Sequence, residues 1–126
     1  MKTLQLTFKI NTEPEILYRA LVTPQTIELW TGFPAVMSET PGSEFEWLDG
    51  DVVGKNIEFI PSQMIRQQWY FGNDEKESIV TLKLSPHKDK TIVELEQTNI
   101  PDPAYENIKY GWKKIIMASL KDFFSN

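Results

Sequence analysis

The chain has 126 residues, no cysteine and a formal net charge of −5. This length fits one domain, expected to span residues 1–126 and to bury a core without disulfides or metal. The absence of cysteine excludes disulfides, thiolate nucleophiles and thiolate metal sites. A phosphate backbone repels a chain of this charge, so we expect no nucleic-acid partner.

The sequence also bears on location. The first ten residues alternate between polar and apolar side chains and are not a signal peptide. No segment approaches the roughly 20 consecutive apolar residues of a membrane span. We therefore expect a cytoplasmic protein with no membrane span.

The chain begins with a predicted strand and a short helix. Between Thr3 and Ile10, apolar residues alternate with polar ones, which predicts a half-buried strand. Thr12 is predicted to cap the helix that follows, with Glu15 closing a capping box and Pro14 in the first turn. This helix is expected to end near residue 22.

A second short helix is predicted directly afterwards. Thr23 followed by Pro24 repeats the start signal, and Gly32 marks the expected end. Between them the apolar residues are Ile27, Leu29 and Trp30. Two short helices joined by a tight kink are therefore expected to follow the first strand.

About six short strands are predicted between these helices and Pro101. They cover residues 35–37, 43–48, 52–60, 64–71, 78–85 and 91–100. The expected turns are Asp49-Gly50, Pro61-Ser62, Gly72-Asn73-Asp74 and residues 86–90. Because the connections are short, the strands should pair as an antiparallel meander. Gly54 is predicted to mark a bulge or a close approach of two backbones.

Residues 102–124 are predicted to form one long helix. Its apolar face is expected to carry Ile108, Trp112, Ile115, Ile116, Ser119, Leu120 and Phe123. Gly111 costs helix stability relative to alanine, so we expect a close contact with the sheet or the short helices there. The whole pattern is an α+β fold of order β-α-α-β(about 6)-α, with the sheet covering the long helix.

Several segments resemble one known family in order and spacing. They are Trp47-Leu48-Asp49-Gly50, Val53-Gly54, residues 65–69, residues 93–101 and Gly111-Trp112. The most specific are the Gln-x-x-Ile-Pro motif that starts at Gln97 and the Gly-Trp pair about ten residues later. The chain resembles the activator of Hsp90 ATPase homologue 1-like (AHSA1-like) family, within the START-like (Bet v 1-like, SRPBCC) superfamily. The resemblance covers nearly the whole chain.

The resemblance implies a helix-grip fold, in which a curved antiparallel sheet wraps a long C-terminal helix. In the superfamily the space between helix and sheet commonly holds apolar small molecules. In the eukaryotic co-chaperones, a separate preceding domain makes much of the Hsp90 contact, and such a domain is not expected here. Our first reading is a non-catalytic protein that binds a small apolar or amphipathic ligand. A module that binds an Hsp90-like chaperone is the second.

The ligand-binding prediction rests on residues expected to face the helix. They are Trp30, Phe59, Gln67, Trp69, Leu95, Gln97, Ile108, Trp112 and Ile116. On the last strand, Gln97 and Asn99 share the parity of Leu95 unless a bulge intervenes. A buried amide needs a partner, so Gln97 either bonds backbone, or caps the long helix, or orients a ligand. The aromatic residues form either core or cavity wall.

The sequence offers little catalytic chemistry. The single histidine, His87, lies in a polar turn, and Glu94 and Glu96 alternate with apolar residues as on a solvent-facing strand. We expect no catalytic residue, metal or cofactor. An enzyme of cyclase or hydrolase type ranks third, and it would rely on carboxylates or on the tyrosines. These are Tyr18, Tyr70, Tyr105 and Tyr110.

Overall fold

A computed structural model describes residues 1–72 and 76–125. The first half contains β1 (Lys2–Ile10), α1 (Pro14–Val22), α2 (Pro24–Thr31), β2 (Glu44–Trp47) and β3 (Val52–Ile60). The second half contains β4 (Met64–Trp69), β5 (Ser78–His87), β6 (Lys90–Ile100), a 3₁₀ turn (Asp102–Ala104), α3 (Tyr105–Tyr110), a π-helical turn (Gly111–Ile116) and α4 (Met117–Phe123). We call residues 102–123 the C-terminal helix.

The strands form one antiparallel sheet of order β1-β6-β5-β4-β3-β2. The C-terminal helix packs on its inner face, so the expected α+β helix-grip arrangement is confirmed. In the described residues five strands follow the short helices, because residues 35–37 make only one bridge, Val36 to Glu46. Among the same residues, no helix is long and apolar enough to cross a lipid bilayer.

The ends of the first two helices follow their sequence signals in part. Pro14 and Pro24 open the two helices, and Gly32 ends the second in the left-handed conformation, as expected. The prediction that Thr12 caps α1 is wrong, because Glu13 is the N-cap and makes no side-chain capping bond. Leu29 lies on the solvent side of α2, with 71% of its surface exposed.

The strand boundaries differ from expectation at two places. β5 continues through Pro86 to His87 and pairs there with the start of β6, two residues beyond the predicted end. β4 ends at Trp69, two residues before the predicted end. Two residues of the predicted turn at positions 72–74, Asn73 and Asp74, lie outside the described residues.

Gly54 is a point of close approach between neighbouring strands. A Cβ added to it would lie 1.9 Å from the Gln68 backbone oxygen and 2.8 Å from Phe45 Cε1. The break in strand register lies further along β3, between Asn56 and Glu58. A second irregularity lies on β6, where Asn99 has a φ of 52° and leaves the inward row that Gln97 keeps.

The C-terminal helix changes pitch at its centre. The π-helical turn of Gly111–Ile116 uses more residues per turn than an α-helix. As a result, Met117 and Phe124 pack into the core, whereas Ile115 and Phe123, which a regular helix would bury, are each 40% exposed. Of the expected apolar face, Trp112, Ile116 and Leu120 are buried and Ile108 is half-buried, as predicted, whereas the prediction is wrong for Ile115 and Phe123. Apart from the two neighbouring residues and the backbone of its own helix, no heavy atom of residues 1–72 and 76–125 lies within 4 Å of a Cβ built on Gly111, so the close contact predicted there is wrong.

Candidate functional site

Four tryptophan rings run in contact across the inner face of the sheet. Trp30 of α2 meets Trp47 of β2 edge-to-face with centroids 6.0 Å apart. Trp47 meets Trp69 of β4 in the same way at 6.3 Å. Trp69 stacks on Trp112 of the C-terminal helix at 4.9 Å, with 21° between the ring planes. This tryptophan chain thus joins the short helices, the sheet and the C-terminal helix.

Two indole N–H groups of the tryptophan chain donate hydrogen bonds to buried glutamines. Trp112 Nε1 donates to Gln97 Oε1 at 2.8 Å, and Trp69 Nε1 donates to Gln67 Oε1 at 3.1 Å. Gln97 Nε2 in turn donates to Ser78 Oγ at 3.1 Å. Gln97 therefore bonds side chains of the C-terminal helix and β5. Among the described residues it neither caps the helix nor pairs with backbone, and the prediction that it orients a ligand stays a prediction.

The second glutamine leads to a polar loop. Gln67 Nε2 donates to Asn56 Oδ1 at 3.2 Å, and Asn56 Nδ2 donates to Ser43 Oγ at 3.1 Å and to the Ser38 carbonyl at 3.2 Å. The side chains of Gln67 and Asn56 are buried, and that of Ser43 is partly exposed. Asn56 is fully buried, and the sequence did not mark it as inward-facing. Strand parity alone could not predict the break in strand register after Asn56.

The structure brings five of the nine predicted ligand-binding residues together through direct bonds or ring contacts. These five are Trp30, Gln67, Trp69, Gln97 and Trp112. Leu95 and Ile116 are buried in the same hydrophobic core, and Phe59 and Ile108 are half-buried against it. Their role in binding a ligand stays a prediction.

Surface depressions lie elsewhere. One of about 580 Å³ opens on the outer face of the sheet, between polar side chains of β1, β4, β5 and β6. Two others, of about 310 Å³ and 70 Å³, lie beside β3 and beside the segment after α2. In the described part of the chain, Leu95 is the one predicted ligand-binding residue that lines any of these three depressions.

Trp47 is an inward residue that the sequence interpretation missed. Its side chain is 1% exposed, and its Nε1–H has no hydrogen-bond partner among residues 1–72 and 76–125. The alternation around Phe45 pointed to the correct face of β2, because Phe45 and Trp47 share strand parity. Nothing in the sequence indicates that this indole differs from Trp30, whose Nε1–H donates to the Ala20 carbonyl at 2.8 Å.

The tyrosines considered for catalysis are dispersed. Tyr18 is buried in α1, and its hydroxyl donates to Glu39 Oε2 at 2.5 Å. Burial, followed by this hydrogen bond, raises the pKa of the Tyr18 hydroxyl above its ordinary value of 10.0. Tyr70 bonds Glu44 at the surface, Tyr105 lies against Lys2, and Tyr110 is 59% exposed.

Two further titratable groups have defined surroundings. His87 is exposed at the hairpin between β5 and β6. The N-terminal amino group of Met1 donates to Asp102 Oδ1 at 2.7 Å, and this bond lowers the pKa of the Asp102 carboxyl. In the residues that the structure describes, no three His, Asp or Glu side chains gather closely enough to hold a metal ion.

Comparison with known proteins identifies similar sequences. The family model described as Activator of Hsp90 ATPase homolog 1-like protein matches residues 11–125. The human activator of 90 kDa heat shock protein ATPase homolog 1 is 29% identical over 97% of the chain and 36% of its own length. The homolog of Dictyostelium discoideum is 32% identical over 98% of the chain and 33% of its own length. The chain thus spans about a third of these relatives.

A solved structure shows the same fold. The crystal structure of an HSP90 activator from Plasmodium falciparum superimposes with a TM-score of 0.89 at 22% identity. The match covers 99% of this chain and 97% of that one. With the family model matching almost the whole length and the fold agreeing, the chain belongs to the family of activator of Hsp90 ATPase homolog 1-like proteins.

Proposed function

We propose that this chain is an interaction module, one START-like domain, that binds a chaperone of the Hsp90 type. The human and Dictyostelium relatives carry the name of Hsp90 ATPase activators, which supports the class of partner. The observation that carries the proposal is the position of the large apolar side chains. Those facing the helix are engaged with one another, whereas three lie exposed in one short segment.

We call these three residues the apolar patch: Leu29, Phe33 and Val36, which are 71%, 51% and 52% exposed. The three lie within eight residues of one another along the chain, and large exposed apolar residues grouped on a surface are typical of a protein-binding site. The patch lies where α2 ends and the chain turns back towards the sheet. The patch therefore lies between α2 and the sheet, outside the hydrophobic core.

The backbone around the apolar patch is held in place. The Ala35 N–H donates to Glu28 Oε2 at 3.2 Å, which folds the segment back over α2. Val36 and Glu46 exchange two backbone hydrogen bonds of 3.0 and 2.9 Å, which fix the segment to β2. A preorganised apolar surface loses little entropy on binding, so a few such side chains can dominate an interface.

The test uses the Hsp90-type chaperone of the source organism. Its ATPase rate and its binding to this protein are measured with the wild type and with Leu29→Glu and Phe33→Glu. Each variant is expected to weaken binding by about tenfold or more, because burying such a side chain contributes roughly 1.5–3 kcal/mol. Stimulation of the ATPase should fall in parallel.

Ile60→Glu is the matched control, because Ile60 is 39% exposed at the turn between β3 and β4. It should leave both readouts unchanged. If the wild type neither binds the chaperone nor changes its ATPase rate, the proposal is rejected. If Ile60→Glu weakens binding as much as the patch variants do, the apolar patch is not the contact surface.

A small apolar ligand is the second candidate, and one observation favours it. The buried Trp47 Nε1–H lacks a partner among the described residues, so a donor is left for a ligand that carries one acceptor oxygen. Trp30 and Trp69 flank this indole and supply an apolar surface. The predicted ligand-binding residues around them would then form the wall.

Native mass spectrometry of the purified protein, together with tryptophan quenching by a fatty acid, tests this candidate. A bound molecule and saturable quenching are expected, and both should be lost in Leu95→Trp, which fills the interior. The melting transition of that variant shows whether the fold survives. A wild-type protein with no co-purified molecule and no saturable quenching would rule the candidate out.

A further inference from the structure

The negative charge of the chain is concentrated around the apolar patch. Of the 18 acidic side chains, six lie in residues 20–54, whereas all 13 lysines and arginines and the single histidine lie elsewhere. The net charge of −5 therefore arises entirely from this stretch. It forms most of α2, the segment with Phe33 and Val36, β2 and the turn that leads into β3. The six acidic residues are Glu28, Glu39, Glu44, Glu46, Asp49 and Asp51.

Two of these carboxylates have a basic residue beside them. Arg19 Nη2 lies 3.3 Å from Glu39 Oε1, and Lys55 lies directly across from Glu44 in the pairing of β2 with β3. The other four form no ion pair within residues 1–72 and 76–125. All four are exposed, and we call them the acidic rim: Glu28, Glu46, Asp49 and Asp51.

The elements around this stretch do not cancel its charge. α1 and α4 pack against α2, and β3 pairs with β2. Each of these three elements carries one basic and one acidic side chain, namely Arg19 with Glu15, Lys121 with Asp122, and Lys55 with Glu58. Because the neighbouring elements are each neutral in sum, the surface around the apolar patch is negative. A local field of this sign attracts basic partners.

The acidic rim adjoins the apolar patch. Glu46 and Asp49 line the depression of about 70 Å³ together with Val36 of the patch. The Asp49 N–H donates to the Pro34 carbonyl at 3.3 Å, and Glu28 Oε2 bonds the backbone of the same segment. Small-molecule sites usually measure about 300–1,000 Å³, so this depression suits a single side chain instead.

These features select among possible occupants. An ammonium or guanidinium group placed in the depression would meet two carboxylates that lack a basic partner in the described part of the chain. A second copy of the chain fits poorly, because a symmetric contact would place the same carboxylates opposite one another. An anionic lipid surface or a nucleic acid would be repelled by the acidic rim.

We propose that the apolar patch and the acidic rim together bind a segment of the partner protein that is both basic and apolar. A lysine or arginine of that segment lies between Glu46 and Asp49, and its apolar side chains cover Leu29 and Phe33. The charged pairs set the orientation of the segment and speed its association. This inference rests on the proposed function, because it takes the apolar patch as the contact surface and adds the chemistry of what binds there.

Fluorescence anisotropy with three labelled peptides tests the preference for basic segments. The first is Lys-Leu-Arg-Phe-Lys-Leu-Arg, and the other two carry glutamine or glutamate at its four basic positions. We expect the basic peptide to bind the wild type at least tenfold more tightly than the glutamine peptide, and the glutamate peptide to bind more weakly still. Equal binding of the basic and glutamine peptides overturns the proposal. So does no detectable binding of the basic peptide at millimolar concentration.

Two charge-reversed variants locate the site. Glu46→Lys with Asp49→Lys should weaken binding of the basic peptide at least tenfold and strengthen binding of the glutamate peptide. Glu94→Lys with Glu106→Lys makes the same change in net charge at exposed positions on β6 and α3, and it should bind like the wild type. The melting temperature of each variant confirms that it folds. If the control variant loses as much binding, the total charge of the chain is responsible and the proposal is overturned.

The chaperone separates this inference from the proposed function. Glu46→Lys with Asp49→Lys should weaken binding of the chaperone at least tenfold. If the chaperone binds the wild type and this variant equally, the inference is overturned and the proposed function stands. If the chaperone does not bind the wild type but the peptides behave as expected, the proposed function is rejected and the preference for a basic segment stands. A wild-type dimer, detected by sedimentation, that the two substitutions abolish would also overturn the inference.

Discussion

At the scale of single residues, two glycines differ in the space beside their Cα atoms. This space determines whether a larger side chain can replace each of them. Gly54 and Gly111 both lie inside regular elements, one in a strand and one in the C-terminal helix. The space around Gly54 is filled by the Gln68 carbonyl and the Phe45 ring, whereas the space beside Gly111 is open. The same substitution should therefore have opposite consequences at the two sites.

We expect Gly54→Ala to destabilise the protein by about 3 kcal/mol or more, because a rigid carbonyl oxygen stands 1.9 Å from the new Cβ. Gly111→Ala should leave stability unchanged or raise it by up to about 1 kcal/mol, because its backbone is already helical. Urea unfolding of the two variants and the wild type measures both values. If Gly111→Ala lowers the free energy of unfolding as much as Gly54→Ala does, the space beside Gly111 is not open.

At the scale of elements, the π-helical turn decides which residues the C-terminal helix buries. Periodicity predicts its apolar face on the assumption of a constant pitch of 3.6 residues. The wider turn at Gly111–Ile116 breaks that assumption at the point where Trp112 stacks on Trp69 and bonds Gln97. We infer that these two contacts of Trp112 hold the wider turn in place.

Substitutions of Met117 and Ile115 distinguish a C-terminal helix with the π-helical turn from one with a regular α-helical pitch. Met117→Ala is expected to cost about 2–5 kcal/mol, the range for a buried side chain, because Met117 is 1% exposed. Ile115→Ala should cost less than about 1 kcal/mol, because Ile115 lies 40% exposed on the solvent side. Chemical unfolding measures both. A greater cost for Ile115→Ala would mean that the helix keeps a regular pitch in solution.

At the scale of the whole molecule, the tryptophan chain and its glutamines connect parts of the sequence that are far apart. Trp112 reaches β6 through Gln97, and Trp69 reaches β3 through Gln67 and Asn56. Polar groups buried together in this way are stabilising only while each keeps its partner. We therefore expect the helix and sheet to be energetically coupled through these pairs.

A double-mutant cycle on Trp112 and Gln97 tests this coupling. Trp112→Phe leaves Gln97 Oε1 without its indole donor, and Gln97→Met leaves the indole N–H without its acceptor, so each should cost about 1–3 kcal/mol. The double variant should cost less than the sum by roughly 0.5–3 kcal/mol. Tyr110→Ala, at an exposed position, should be additive with Gln97→Met. Additivity in the first cycle would show that the pair is not coupled.

The sequence predicts the strands, helices and turns well because local signals determine them. Alternation marks β1, proline and glycine delimit α2, and the parity of Gln97 correctly places it inward. The partner of Gln97 lies 15 residues away on another element, so no local pattern identifies it. The register break after Asn56 and the π-helical turn likewise depend on tertiary packing.

The stacking of Trp69 on Trp112 also has an optical consequence. Two indole rings with centroids 4.9 Å apart and nearly parallel planes lie close enough for their electronic transitions to mix. One ring belongs to the sheet and the other to the C-terminal helix, so this mixing exists only while the two remain in contact. The part of the protein's circular dichroism that Trp112→Phe removes should therefore report, without any added label, whether the helix is seated on the sheet.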